Sequence, residues 1–215
     1  SLSASAQKAA VQTAINYLRY EDLDKAKEAI DGAVVTESTM GMSKAWYYRA
    51  RIYHAIFETT NAKFDALKPG SLLEAKKSYE KTMELDTKNE YKDDILKSLE
   101  ILASQSLNMG VENFRNSKFD EALKMFQSSA DINKKYFNRV DTLAIYNAGL
   151  TADKLGDATT AINNFKLLTD ANYGGAKLYS LMVNMYLDQK DTANALLTIN
   201  QGRQKHPEDG TLITQ

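Results

Sequence analysis

The 215-residue chain contains no cysteine. That excludes disulfides, thiolate metal sites, iron–sulfur clusters and cysteine nucleophiles. It has two histidines, His54 and His206, at distant positions. A zinc site needs several nitrogen or sulfur ligands, and a Ser–His–Asp arrangement needs a histidine beside a nucleophilic serine. Neither histidine has that company in sequence: His54 stands among Tyr53, Ala55, Ile56 and Phe57, and His206 precedes Pro207. Two prolines and ten glycines are few for this length, which favours long helices over a turn-rich β fold. No run of 18 apolar residues occurs, so no segment reads as a membrane-spanning helix. Charge of one sign is lacking too. Twenty-seven Lys and Arg oppose 28 Asp and Glu, without the basic excess that nucleic-acid binding exploits. No nucleic-acid partner is expected.

What is present is a recurring pattern of small and bulky residues. Ala26, Ile30 and Ala33 form one set. Ala75, Tyr79 and Thr82; Ala122, Phe126 and Ser129; Ala161, Phe165 and Leu168; and Ala195, Ile199 and Gly202 form four more. The spacing puts each set on one helical face. The small residues let a neighbouring helix approach, and the bulky one fills the groove beside it. An amphipathic segment lies upstream of each set. It holds Ala10, Ala14 and Tyr17; Trp46, Ala50 and Tyr53; Met109 and Gly110; Ile145, Ala148 and Gly149; and Tyr179, Met182, Val183 and Tyr186. The anchor alanines are 49, 47, 39 and 34 residues apart. The shortest equals the period of a helix–turn–helix repeat, so the longer ones predict inserted loops or extended helices.

These residues resemble the tetratricopeptide repeat (TPR) family over essentially the whole chain. The resemblance is carried by Trp46, Ala50 and Tyr53, by the helix from Ala75 to Leu85, by Lys118–Ala122, and by Leu155-Gly156-Asp157. Pro207 stands where the family often closes a repeat; Ser38, Thr87, Lys134 and Asn172 depart from that pattern. The resemblance implies an all-α fold: a right-handed superhelix of about five helix pairs, read as one array over 1–215. The repeats fall at about 7–38, 43–87, 90–134, 142–172 and 176–207, with a further helix starting at 208–215. The wording of segments such as Lys44–Arg49, Asp141–Gly149 and Tyr173–Ala176 is also similar to exported TPR proteins of the Bacteroidetes type.

Helices are predicted near 4–19, 22–36, 42–58, 71–85, 90–116, 119–132, 140–155, 157–169, 175–188 and 191–205. Asp157 and Asp191 have the position of capping carboxylates, and Ser3 or Ser5 could cap the first helix. Thr59–Gly70 is the clearest insertion, inside repeat two, and the first helix of repeat three is extended. Ala4-Ser5-Ala6 has the small-x-small form that precedes a signal-peptidase cut, so export, to the periplasm, is expected. No polar capping helix is visible near 211–215, which leads to the expectation of a longer array.

No catalytic set, phosphate loop or metal-ligand spacing emerges, and the carboxylate pairs Asp93-Asp94 and Asp22/Asp24 read as solvated helix starts. An enzyme, a cofactor and a metal are not expected. In a TPR superhelix the first helix of each pair lines the concave face. Lys44, Tyr47, Arg51 and His54 then form a stripe opposite Ala50 and Tyr53. Tyr146, with Leu143 and Leu150, stands on the equivalent stripe of repeat four, and Asn184 on that of repeat five. Val11, Ile15 and Leu18 occupy it in repeat one, where the basic clamp for acidic chaperone tails would need lysine and asparagine. The expected function is a protein-interaction scaffold holding a peptide or protein segment in that groove, in envelope assembly or complex organisation. The alternative is a glycan-binding accessory protein of the outer membrane, with Phe64 of the inserted loop as its aromatic platform.

Overall fold

The computed structural model describes residues 4–212, with side-chain surroundings from Ala9 onward, Thr211 excepted. Ser3 as a cap, and residues 213–215 of the expected further helix, lie outside the described residues. Ten α-helices follow in chain order. They are α1 (Ala4–Arg19), α2 (Leu23–Val34), α3 (Ser43–Glu58), α4 (Ser71–Leu85), α5 (Lys92–Arg115), α6 (Phe119–Phe137), α7 (Thr142–Lys154), α8 (Ala158–Asp170), α9 (Gly175–Asp188) and α10 (Thr192–Lys205). Short 3-10 helices occupy Ala62–Leu67 and Gly210–Leu212.

The chain forms two compact units, Ser1–Leu102 and Ala103–Gln215, with the border inside α5. In the first, α1 packs on α2, α2 on α3, and α3 on α4. In the second, α6 packs on α7, α7 on α8, α8 on α9, and α9 on α10. Every anchor position of the five sets is buried, Ala26 and Ile30 as fully as Ala161 and Phe165. The described residues are all-α, built from helices that pack on their neighbours in chain order within each unit.

Side-chain volume sets how closely the helices of a hairpin meet. A β-carbon on Gly110 would lie 2.6 Å from the Phe126 ring, and one on Gly149 only 2.5 Å from the Phe165 ring. The same sequence separation joins Ala14 to Ile30 and Val183 to Ile199, where the filler is smaller and the partner larger. Glycine inside a helix costs about 1 kcal/mol relative to alanine, and here it admits a fully buried phenylalanine, worth about 1.5–3 kcal/mol.

Four hairpins share one turn. Glu21, Ser117, Gly156 and Lys190 adopt positive φ, between 58° and 76°. The next residue's N–H then reaches back to the helix it leaves: Asp22 to the Tyr17 carbonyl (3.0 Å), Lys118 to Asn113 (2.8 Å), Asp157 to Ala152 (2.9 Å) and Asp191 to Tyr186 (2.8 Å). This is the Schellman closure of a helix end. Asp157 and Asp191 also cap the following helices, accepting from the N–H groups of Thr160 and Asn194.

Two boundaries differ from expectation. α6 runs to Phe137 rather than 132. Lys134 and Lys135 continue the helix favourably near its negative end, and Asn138 stops it at φ 49°. The Thr59–Gly70 insertion is not an open loop, since its middle winds into Ala62–Leu67 and Phe64 is only 3% exposed.

Candidate partner-binding cleft

A cluster of charged groups fixes the orientation of α3 in the first unit. Arg49 points inward, with its side chain 11% exposed. Its Nε donates to Asp31 Oδ1 of α2 at 2.9 Å, and its two terminal nitrogens reach Glu74 Oε2 (2.8 Å) and Ser78 Oγ (2.7 Å) of α4. The guanidinium lies 4.4 Å from the Tyr53 ring centroid. Tyr53 in turn donates its hydroxyl to Asp31 Oδ2 at 2.8 Å, and Lys27 meets the same oxygen at 2.9 Å. Burial pushes the Asp31 carboxyl upward, but the bonds from Lys27 and Tyr53 and the Arg49 charge outweigh it, holding the group below the usual carboxylate range. Arg49 joins three helices because its planar fork serves several acceptors at once.

With α3 held there, its opposite side faces an open cleft of about 640 Å³. Ile15, Leu18 and Arg19 of α1 form one wall, and Glu21 and Leu23 continue it through the turn into α2. Tyr48, Arg51, Ala55 and Glu58 of α3 form another. Thr59, Thr60, Asn61 and Phe64 of the insertion complete the lining. The insertion holds its shape through Asn61 Oδ1, which accepts from the Lys63 N–H at 3.0 Å, and through Lys63, whose ammonium meets Asp24 of α2 at 3.2 Å. The cleft therefore belongs wholly to the first unit.

Of the residues expected on the groove stripe, Lys44 and Arg51 are exposed, and Arg51 lines the cleft. Tyr47 and His54 are corrections, being only 6% and 7% exposed. Tyr47 stacks on Tyr91 with centroids 4.3 Å apart and donates its hydroxyl to Asp94 Oδ2 at 3.1 Å. Burial raises its pKa above the ordinary tyrosine value. His54 meets the Tyr79 ring edge-on at 6.3 Å, and its Nε2 is 3.5 Å from Glu58 Oε1. The stripe that opens to the cleft is Tyr48, Arg51, Ala55 and Glu58, still at spacings of three and four and sharing Arg51 with the expected one, but turned by about 40° around the helix. Sequence spacing identifies such a stripe; which of two adjacent stripes stays open depends on where Tyr91 and Tyr79 come to lie. Tyr48, Glu58, Thr60 and Asn61 had no separate signal in the sequence.

Tyr146 and Asn184 belong to the second unit. Tyr146 is half-buried, its ring 6.2 Å from that of Phe165, and Asn184 is exposed on α9. The glycan platform is a further correction: Phe64 packs into the apolar core with Leu23 and Ile56, so it offers no face for a sugar to stack on. Among the described residues, no group of three or more His, Asp or Glu is arranged to hold a metal, and no helix is long and apolar enough to cross a membrane.

No protein-family model and no curated protein matches the chain. Solved structures do. PilF of Pseudomonas aeruginosa is 16% identical over 97% of this chain and 80% of that one, with a TM-score of 0.39. YrrB, described as a TPR protein with an unusual peptide-binding site, is 16% identical over 95% and 89%, with a TM-score of 0.43. A tetratricopeptide repeat protein from Parabacteroides merdae is 14% identical over 94% and 80%, with a TM-score of 0.35.

Proposed function

We propose that the chain is a non-enzymatic protein-interaction scaffold whose first unit receives an extended segment of a partner protein. The observation that carries this reading is the cleft. It combines apolar surface from Leu18 and Ala55 with a few polar groups at its edges. Specific peptide sites have that composition, burial supplying affinity and sparse polar contacts supplying register. Arginine and tyrosine, the residue types that dominate binding hot spots, stand together on α3 as Arg51 and Tyr48. The test is selection of a phage-displayed library of random peptides of about twelve residues against the full chain. Selected peptides should lose binding to Thr60→Trp, which fills the cleft from an exposed position. Peptides that bind wild type and Thr60→Trp equally would overturn the reading.

The proposed setting is the envelope of an exporting bacterium, in assembly or organisation of a complex. It rests on the Ala4-Ser5-Ala6 triplet alone. Fractionation of the source cells should recover the chain outside the cytoplasm; recovery in the cytosol would overturn this part.

A further inference from the structure

Arg49 and Arg51 stand two positions apart on α3, about 200° around the helix from one another. Arg49 has a complete set of protein acceptors. Arg51 has none: among the described residues no carboxylate pairs with it. It is nevertheless held in place. Its guanidinium lies 5.7 Å from the Tyr48 ring centroid and 5.8 Å from that of Tyr47, within cation–π range. Tyr47 is itself fixed by the Tyr91 stack and the Asp94 hydrogen bond. A guanidinium laid on aromatic faces keeps its N–H edges for an acceptor, and part of its ordering entropy is already spent.

The cleft's own carboxylates are not that acceptor. Glu58 stands two turns further along α3, where His54 Nε2 is 3.5 Å from it, and Glu21 lies in the turn after α1. Arg19 adds a second basic group on the α1 wall, and it too has no carboxylate partner among the described residues. We infer that Arg51 reads a carboxylate side chain of the bound partner segment, with an adjacent apolar side chain seated on Leu18 and Ala55. The inference rests on the cleft-binding reading and specifies the chemistry of its occupant: an extended peptide carrying aspartate or glutamate beside an aliphatic or aromatic residue. Charge complementarity selects this occupant, since a planar bidentate donor with no protein partner matches a carboxylate better than any neutral group.

The same library selection supplies the probes. Cleft-dependent peptides should be enriched in Asp or Glu next to an apolar residue. Each acidic peptide is then synthesised with Glu or Asp and with Gln or Asn at that position. Fluorescence anisotropy is measured on wild type, Arg51→Met and Arg51→Lys. Removing the acid should weaken binding to wild type about tenfold or more, and change binding to Arg51→Met by less than about twofold. Arg51→Lys should recover only part of the difference, because an ammonium lacks the fork. Arg51 is exposed, so both variants should keep wild-type helicity by circular dichroism. Cleft-dependent peptides without acidic enrichment, or an acid effect equal in wild type and Arg51→Met, would overturn the inference and leave the cleft reading intact. Absence of any cleft-dependent peptide would overturn both.

Discussion

Replacing Arg49 by methionine removes a charge while roughly keeping the side chain's length. It deletes the 2.9 Å and 2.8 Å ion pairs to Asp31 and Glu74, the 2.7 Å bond to Ser78 and the contact with the Tyr53 ring. Removing one member of a buried ion pair costs about 3–5 kcal/mol, because the other is left uncompensated. Here the abandoned carboxylates are 30% and 39% exposed, and Asp31 keeps Lys27 and Tyr53. Solvent screening and those remaining partners bring the expected loss to about 2–3 kcal/mol. For a unit near a hundred residues that corresponds to a fall in Tm on the order of 10 °C. The chain's single tryptophan, Trp46, reports on this unit, its ring centroid 5.8 Å from the Arg49 guanidinium and its indole N–H donated to the Met40 carbonyl at 2.7 Å. Guanidinium denaturation followed by tryptophan fluorescence should show a lower midpoint for Arg49→Met. Arg49→Lys should fall between, keeping the charge but not the fork. A midpoint for Arg49→Met equal to wild type would refute the view that this cluster holds α2, α3 and α4 together.

Other expectations follow from single positions. Gly149→Ala should destabilise by about 1–3 kcal/mol despite its better helix propensity, because the new methyl meets the Phe165 ring. Gly32→Ala, with nothing within 4 Å, should stabilise by about 0.5–1 kcal/mol, and thermal melts by circular dichroism compare the two signs. Ser117→Gly should raise stability by up to about 1 kcal/mol, since φ 58° suits glycine; an unchanged or lower Tm would refute it. Asp31→Asn should flatten the acid limb of the stability profile. The Asp31 pKa is depressed on folding, so its contribution is present above the unfolded value near 3.8 and lost as pH falls through the lower folded value. An identical acid limb in urea titrations of the variant would refute that assignment. Tyr79, buried until its pKa rises to about 12, should act at the opposite end. Its contribution is present below the unfolded value of 10 and lost as pH rises towards 12, and Tyr79→Phe should remove that alkaline loss.

Much of the fold could be read before any coordinate. The small–bulky–small sets named every helix that packs as the second of a hairpin, because burial against a neighbouring helix constrains residue volume at fixed spacing. Gly110 and Gly149 even specify where a phenylalanine must sit. Asp157 and Asp191 marked helix starts correctly, since capping depends on residues three apart in sequence. Local rules failed at Lys134 and Lys135, where the helix runs on until Asn138 turns left-handed.

The cleft needed tertiary structure. Tyr47 and Tyr48 are chemically alike and adjacent, yet one is stacked beneath Tyr91 and the other lines the opening. Spacing separated Arg51, on the groove stripe, from Arg49, but only the positions of Asp31 and Glu74 show Arg49 to be a buried fastener while Arg51 lines the opening. Phe64 had the look of an exposed platform until the Ala62–Leu67 turn drove it into the core. Periodicity determined the helices and the faces they bury, because those depend on neighbours a few residues away. Which face stayed open was decided by contacts between residues tens of positions apart, whose geometry no local spacing encodes.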